Sequence, residues 1–352
     1  MGVDKNFCMS SFLAFRYIID GGMDFFEGIH HQTKPLPPAG KLREVKTAAE
    51  IDRELACQFQ SLDARKPAIL LSGGMDSACL ASYMRGSDAY TFRFLDGAFQ
   101  EDELERAERF AETNKMRLHY VDISWDSTTA NLDALLRRKG APVHSIEPQI
   151  AQAAHQALHD GVDLMVIGDA ADYVFGGMDQ LHAKDWLFDE FRKRYTYIEP
   201  AEVLSESEDM RFAYEKYRRG SGIDFISFMH EYADIESYSS YDNAFQTMGL
   251  SYLDPYETLV MAEPLDLQRV RNGESKYLIR ELFRLRYPDI PLPEKNPMPR
   301  PVDVYFRDWH GPARPEFLPG LDMGKFTGNQ KWQLWCLEYF LNLFDPPQEE
   351  KQ

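Results

Sequence analysis

The 352 residues, 44% hydrophobic and 27% charged, supply enough apolar side chain for the core of one large or two ordinary soluble domains. With 57 acidic and 39 basic side chains the formal net charge is −18, which excludes a surface built to grip nucleic acid or anionic lipid non-specifically. No apolar run approaches the roughly 18 residues of a membrane span, and Cys8, Cys57, Cys79 and Cys336 show neither CxxC nor Cys–His spacing. Reduced thiols, no zinc site and, with no secretory pattern over residues 1–10, a cytoplasmic location are the expectation.

Residues 1–45, with an apolar segment at 11–19 and a turn-rich stretch at 34–40, read as a linker-like segment packing on the core. Ile51, Leu55 and Phe59 recur at four-residue spacing, which predicts a helix over 47–59. From there strands and helices alternate. Strands are expected at 67–72, 88–95, 117–123 and 162–168, and helices at 77–84, 101–114 and 146–160. The charged run 101–112 reads as a solvated helix face. Such alternation means βαβ units, hence a parallel twisted sheet with helices on both faces.

After about residue 185 the strand signal fades, and 185–195, 208–218, 223–231, 242–248, 275–287 and 330–344 all read as helices. The last carries Trp332, Trp335, Cys336, Tyr339, Phe340 and Leu343 at helical spacing, a face expected to dock on the core. Six prolines fall within 288–301, marking a stiff loop long enough to be functional. The expected organisation is an α/β lobe over 46–190 and a helical lobe over 191–352 that completes a cleft.

The chemistry is concentrated in two loops. Leu71-Ser72-Gly73-Gly74-Met75-Asp76-Ser77 leaves an apolar strand, turns through two glycines and enters a helix. Glycines let backbone N–H groups approach an anion closely, and Ser72 and Ser77 can donate to phosphate oxygens. Asp76 beside a phosphate implies an intervening divalent cation, Mg²⁺. The loop is neither a Walker A motif nor GxGxxG. A second loop, Gly168-Asp169-Ala170-Ala171-Asp172-Tyr173-Val174-Phe175-Gly176-Gly177, again ends a strand, and ligands of open α/β sheets sit outside strand carboxyl ends.

The first loop resembles the SGGxDS pyrophosphate loop of the N-type ATP pyrophosphatases, the PP-loop superfamily. The pair of loops resembles the synthetase domain of glutamine-dependent asparagine synthetase, whose second motif reads G-E-G-x-D-E followed by an apolar pair and Gly-Gly. Weaker likenesses run along the chain: Phe25-Phe26-Glu27-Gly28-Ile29, Leu36 to Gly40, Pro255-Tyr256, Glu274-Ser275-Lys276 with Arg280, and Lys295 in the proline-rich loop. Cys8 is not placed to be the nucleophile of the family's glutaminase domain, so glutamine hydrolysis by these residues is not expected. The second motif also departs from the pattern, with Asp169, Ala170 and Tyr173 standing for Glu, Gly and Glu.

The resemblance implies an adenine nucleotide alpha-hydrolase-like fold and an AMP-forming amide ligase using ATP and Mg²⁺. Ser72, Gly73, Gly74 and Ser77 would hold pyrophosphate, with Leu71, Met75 and Gly168 beside them. Asp76 and Asp172 would hold the metal, and Lys295 would stabilise phosphate charge. Phe94 and Leu71 are candidates for adenine contact, and Asp169 for orienting or deprotonating the attacking amine. The partners implied are a small-molecule or peptide carboxylate and ammonia or an amine, with room for a separate glutaminase subunit and a homodimer. A lactam synthetase or peptide cyclase is the alternative, and a nucleotide-binding protein without turnover a third reading. An exposed patch of Phe12, Phe15, Tyr17, Phe25 and Phe26 would favour a docked partner.

Overall fold

In the computed structural model, which describes residues 2–62, 65–97, 100–294 and 301–346, five strands form the central sheet. These are β1 (Pro67–Leu70), β2 (Asp88–Phe94), β3 (Arg117–Ile123), β4 (Leu164–Val166) and β5 (Ser251–Leu253). They lie in the order β5–β4–β1–β2–β3, and every neighbouring pair is parallel. The chain builds outward from β1 to β3, then returns to the other side of β1. The topological switch point therefore lies between β1 and β4, where open α/β sheets form their ligand crevice.

Helices α1 (Lys5–Phe15), α2 (Ala48–Gln60), α3 (Met75–Ala81), α4 (Glu101–Thr113), α5 (Glu147–His159), α6 (Ala170–Val174), α7 (Phe225–Met248), α8 (Tyr277–Arg286) and α9 (Gly328–Phe344) surround the sheet. Side chains alternate across a strand, so each strand feeds two cores. Ala68, Tyr90, Met165 and Ile167 face one core with residues of α1, α5 and α9. Ile69, Ala89 and Val166 face the other, with α2, α3 and α8. The expected sheet with helices on both faces is the observed one. A third, aromatic core joins Phe15 and Tyr17 to Phe191, Tyr214 and Phe228 farther along the chain. Among the described residues no helix is long and apolar enough to cross a membrane.

Two expectations need correction. The helices expected at 223–231 and 242–248 are one helix, α7, of 24 residues. The bridging stretch looked like a break because it carries Asp234, Glu236, Ser237, Ser239 and Ser240, but these polar groups are buried in the fold. The strand signal does not end at 168 either, because β5 adds a three-residue edge strand too short to show alternation. Phe12, Phe15, Tyr17 and Phe25 are buried and Phe26 is half-buried, so these five residues form no exposed patch and give no argument for a docked partner.

Candidate active site

The loop after β1 is closed by its own hydroxyls. The Ser72 and Ser77 oxygens lie 3.0 Å apart, and the backbone N–H groups of Ser72 and Gly74 donate to Ser77 Oγ at 3.1 Å and to Ser72 Oγ at 3.2 Å. Helix α3 begins at Met75 with Gly74 as its cap, two residues before the expected start, because Ser77 turns its hydroxyl back to the loop. Gly73 is needed for packing. A methyl group there would come within 2.7 Å of the Glu103 carbonyl oxygen and 2.9 Å of Arg106 Cβ on α4.

The loop after β4 is set by a different device. Gly176 has φ +76°, where a side chain is strained, and the Gly177 N–H donates to the Asp172 carbonyl at 2.7 Å. A methyl at Gly177 would overlap the Asp172 carboxylate, so the Phe-Gly-Gly turn is what leaves room for that side chain. Upstream, the Asp169 carboxylate accepts a 2.6 Å hydrogen bond from the Ser237 hydroxyl. Burial, opposed by that bond and reinforced by Asp254, Asp172 and Glu236, pushes the Asp169 carboxyl well above the ordinary range.

Behind both loops lies the segment after β5. Asp254 accepts from the Ala170 N–H at 2.7 Å and the Tyr256 N–H at 3.1 Å, holding the start of α6. Burial raises the Asp254 pKa to about 7, although those two donors pull the other way. The Tyr256 hydroxyl reaches the Asp76 carbonyl.

The loops meet at a lysine. Lys276 Nζ lies 2.6 Å from Asp76 Oδ2 and 3.0 Å from Asp172 Oδ1. Its side chain is 3% exposed. Burial disfavours the ammonium, but Asp76 and Asp172 outweigh burial and hold its pKa above the ordinary lysine value. Lys276 precedes α8 in the left-handed conformation, φ +50° and ψ +42°, which a non-glycine residue adopts at some cost.

A cleft of about 200 Å³ opens over these groups at the switch point. Leu71, Ser72, Gly74, Met75, Asp76 and Ser77 line it from the first loop, and Gly168, Asp169 and Asp172 from the second. Phe94 joins them from the end of β2. Gly73 is turned toward α4, and Lys295 lies outside the described residues. Lys276 and Arg280 enter the cleft from the start of α8. In the sequence they are marked only by the weak family likeness around 274–280 and by the local basic excess between 269 and 310, which fits the phosphate side of a cleft but does not single them out. The helix over 101–112 is not solvated on every face, as its charge pattern suggests: Gln100, Glu103 and Arg106 line the cleft, and burial pushes the Glu103 carboxyl above the ordinary range. Arg106 also donates to the Gly73 carbonyl at 3.2 Å.

The model of the asparagine synthase family matches residues 56–246, more than half of the chain and both loops. The chain belongs to the asparagine synthase family. No curated protein matches it. Among solved structures it is similar to the U34-tRNA thiolase NcsA from Methanococcus maripaludis, at 14% identity and a TM-score of 0.27, over 69% of this chain and 82% of that one. It is also similar to the NMN synthetase from Francisella tularensis, at 13% identity and a TM-score of 0.29, over 72% of this chain and 99% of that one. Membership implies an ATP-using enzyme of the ligase type, acting on a carboxylate and on ammonia or an amine.

The donor set suits the magnesium ion that accompanies ATP. Among the described residues no group of three or more His, Cys, Asp or Glu side chains surrounds a common metal position. Mg²⁺ does not need such a cage, because it is held by one or two carboxylates together with substrate phosphates and water. Asp76 and Asp172 already converge on one cationic centre, the Lys276 ammonium.

Proposed function

We propose that this protein is an AMP-forming amide ligase: it activates a carboxylate as an acyl-adenylate and transfers the acyl group to ammonia or an amine. The observation that carries the reading is the convergence of Asp76 and Asp172, from loops after two adjacent strands, on a single cation at the switch point. A carboxylate does not exchange oxide for an amine at neutral pH, so its oxygen must first become part of a good leaving group. In the first step a carboxylate oxygen attacks the α-phosphorus, the bond to the β-phosphate oxygen breaks, and pyrophosphate departs with the electron pair. In the second the amine nitrogen attacks the acyl carbon, AMP leaves, and the nitrogen gives up a proton.

Most of the catalytic work in such steps is positioning and charge neutralisation. Ser72, Gly74 and Ser77 bind the departing pyrophosphate by exchanging the hydrogen bonds that close the loop for bonds to phosphate oxygens, and Leu71 and Phe94 flank adenine. Asp76 and Asp172 hold Mg²⁺, which supplies positive charge to the phosphates when bound. Lys295, with Arg106 and Arg280, adds cationic charge on the phosphate side. Asp169 lines the cleft beside Asp172 and is assigned to orienting the incoming amine or, in its ionised form, to accepting the amine's proton. Ammonia would come free or from a separate glutaminase subunit.

One feature favours a bulkier amine, as in a lactam synthetase or peptide cyclase. Tyr173 stands at the position of the family's second glutamate and packs edge-on against Tyr238, with ring centres 5.8 Å apart. The chain therefore lacks, at that position, the second carboxylate whose charge would attract ammonium. The test is mass spectrometry of products from Mg-ATP, a carboxylate panel and either ammonium or primary amines. AMP, pyrophosphate and an amide formed in step are expected; ADP and phosphate as the nucleotide products, or no nucleotide consumed with any pair, would overturn the reading.

A further inference from the structure

We propose that Lys276 is a resident counter-cation that keeps the Asp76–Asp172 pair closed to metal until a polyphosphate arrives. This rests on the reading of the cleft as an ATP and Mg²⁺ site, and adds to it an order of loading. The Nζ atom lies 2.6 Å and 3.0 Å from one oxygen of each carboxylate, between the two side chains that would hold the metal. An ammonium and a divalent cation cannot share that position. With 3% of its side chain exposed, Lys276 has little water to turn to.

Displacing it into the protein without new acceptors would strand a buried charge, a strongly unfavourable event. A metal ion alone therefore meets two carboxylates that already share one cation, and has to expel a buried ammonium with nowhere to go. A polyphosphate changes this balance. Its oxygens enter the same cleft and accept the displaced ammonium, while the metal takes the carboxylates. Metal and nucleotide then bind with positive coupling, each favouring the other, and such couplings typically amount to roughly 5–150-fold.

The backbone holds Lys276 at this centre against its local preference. Lys276 sits in the left-handed region directly before α8, and Arg280 one turn on donates to the Ser275 carbonyl at 2.8 Å, so the strained joint has a fixed frame on its helical side. Strain at a joint between two packed elements marks a place where the fold holds a conformation against local preference.

The experiment uses the whole chain and reads metal binding without turnover. Mn²⁺ binding is followed by electron paramagnetic resonance in the absence of nucleotide, for the unmodified protein and for Lys276→Gln and Lys276→Met. Thermal stability is recorded with and without Mg²⁺. The unmodified protein should bind Mn²⁺ weakly and gain no thermal stability from millimolar Mg²⁺ alone. Both variants should bind Mn²⁺ roughly tenfold to a hundredfold more tightly, and Mg²⁺ alone should stabilise them. Tight nucleotide-free Mn²⁺ binding by the unmodified chain would overturn the proposal even if neither variant folds. Folded variants that bind Mn²⁺ no better than the unmodified chain would overturn it as well. Because no product is measured, the proposal can fail while amide formation stands, and the reverse.

Discussion

The Tyr256 hydroxyl donates a 3.0 Å hydrogen bond to the backbone carbonyl of Asp76. This bond ties the segment that follows the edge strand β5 to the loop that follows the central strand β1. The ring is fully buried and meets Phe175 edge-on at 6.1 Å, so the hydroxyl is held in place by packing as well as by its acceptor. Tyr256→Phe keeps the ring and removes the bond. Stability should fall by about 1 kcal/mol, and the KM for ATP should rise while kcat changes little, as steady-state kinetics would show.

Asp172→Asn preserves volume but removes half of the charge that holds Lys276. AMP formation should fall by about 100-fold, and the melting temperature should drop because a buried ammonium loses one of its two anionic partners. Unchanged AMP formation in the folded variant would remove Asp172 from the nucleotide site.

Gly73 is a packing position beneath α4. In Gly73→Ala the new methyl group meets the Glu103 carbonyl and Arg106 Cβ at 2.7 Å and 2.9 Å, both too close for a carbon atom. The variant should lose about 1–3 kcal/mol, read by urea denaturation, and weaker nucleotide binding should accompany the loss because the loop and α4 must separate.

Asp254 predicts a pH dependence. Its pKa is raised by burial from 3.8 to about 7, so the folded chain holds its proton more tightly than the unfolded chain does. The stability this contributes is fully present below the unfolded pKa and declines as pH rises, until it is lost above about 7. Asp254→Asn should abolish that component. The stability of the variant relative to the unmodified chain should therefore rise between pH 4 and pH 7, about the span of those two pKa values, and then level off. Urea midpoints measured across that range check the sign.

Helix α1 tests whether the first residues belong to the core. Phe12 is completely buried, and its carbonyl accepts a 2.6 Å hydrogen bond from the Gln333 side chain on α9. Phe12→Ala should lower unfolding stability by about 3–5 kcal/mol. A change below 1 kcal/mol in the same urea titration would contradict that burial.

Some of this was legible in the residues alone. The alternation of apolar strands with amphipathic helices, and the Ser-Gly-Gly turn leading into Asp76 and Ser77, are local signals carried within a dozen residues. The Phe-Gly-Gly turn was visible too, although its purpose, leaving space for Asp172, was not. The polar run inside α7 misled because helical periodicity assumes that polar faces meet water. Asp234, Glu236 and Ser237 instead lie inside the fold. Lys276 carried no signal of its own beyond a weak likeness, since one lysine among many basic residues from 269 to 310 looks like any solvated one.

The sequence by itself determined the parallel α/β sheet and the two loops that end its strands, because periodicity and glycine placement act between near neighbours along the chain. Only the tertiary structure decided that β1 and β4 are adjacent, that β5 completes the edge, and that Lys276 lands between two carboxylates. It also decided that the aromatic residues of the first helix are core. Strand order and burial depend on which distant segments exclude water from one another, and the ionisation of Asp169, Asp254 and Lys276 follows from that exclusion.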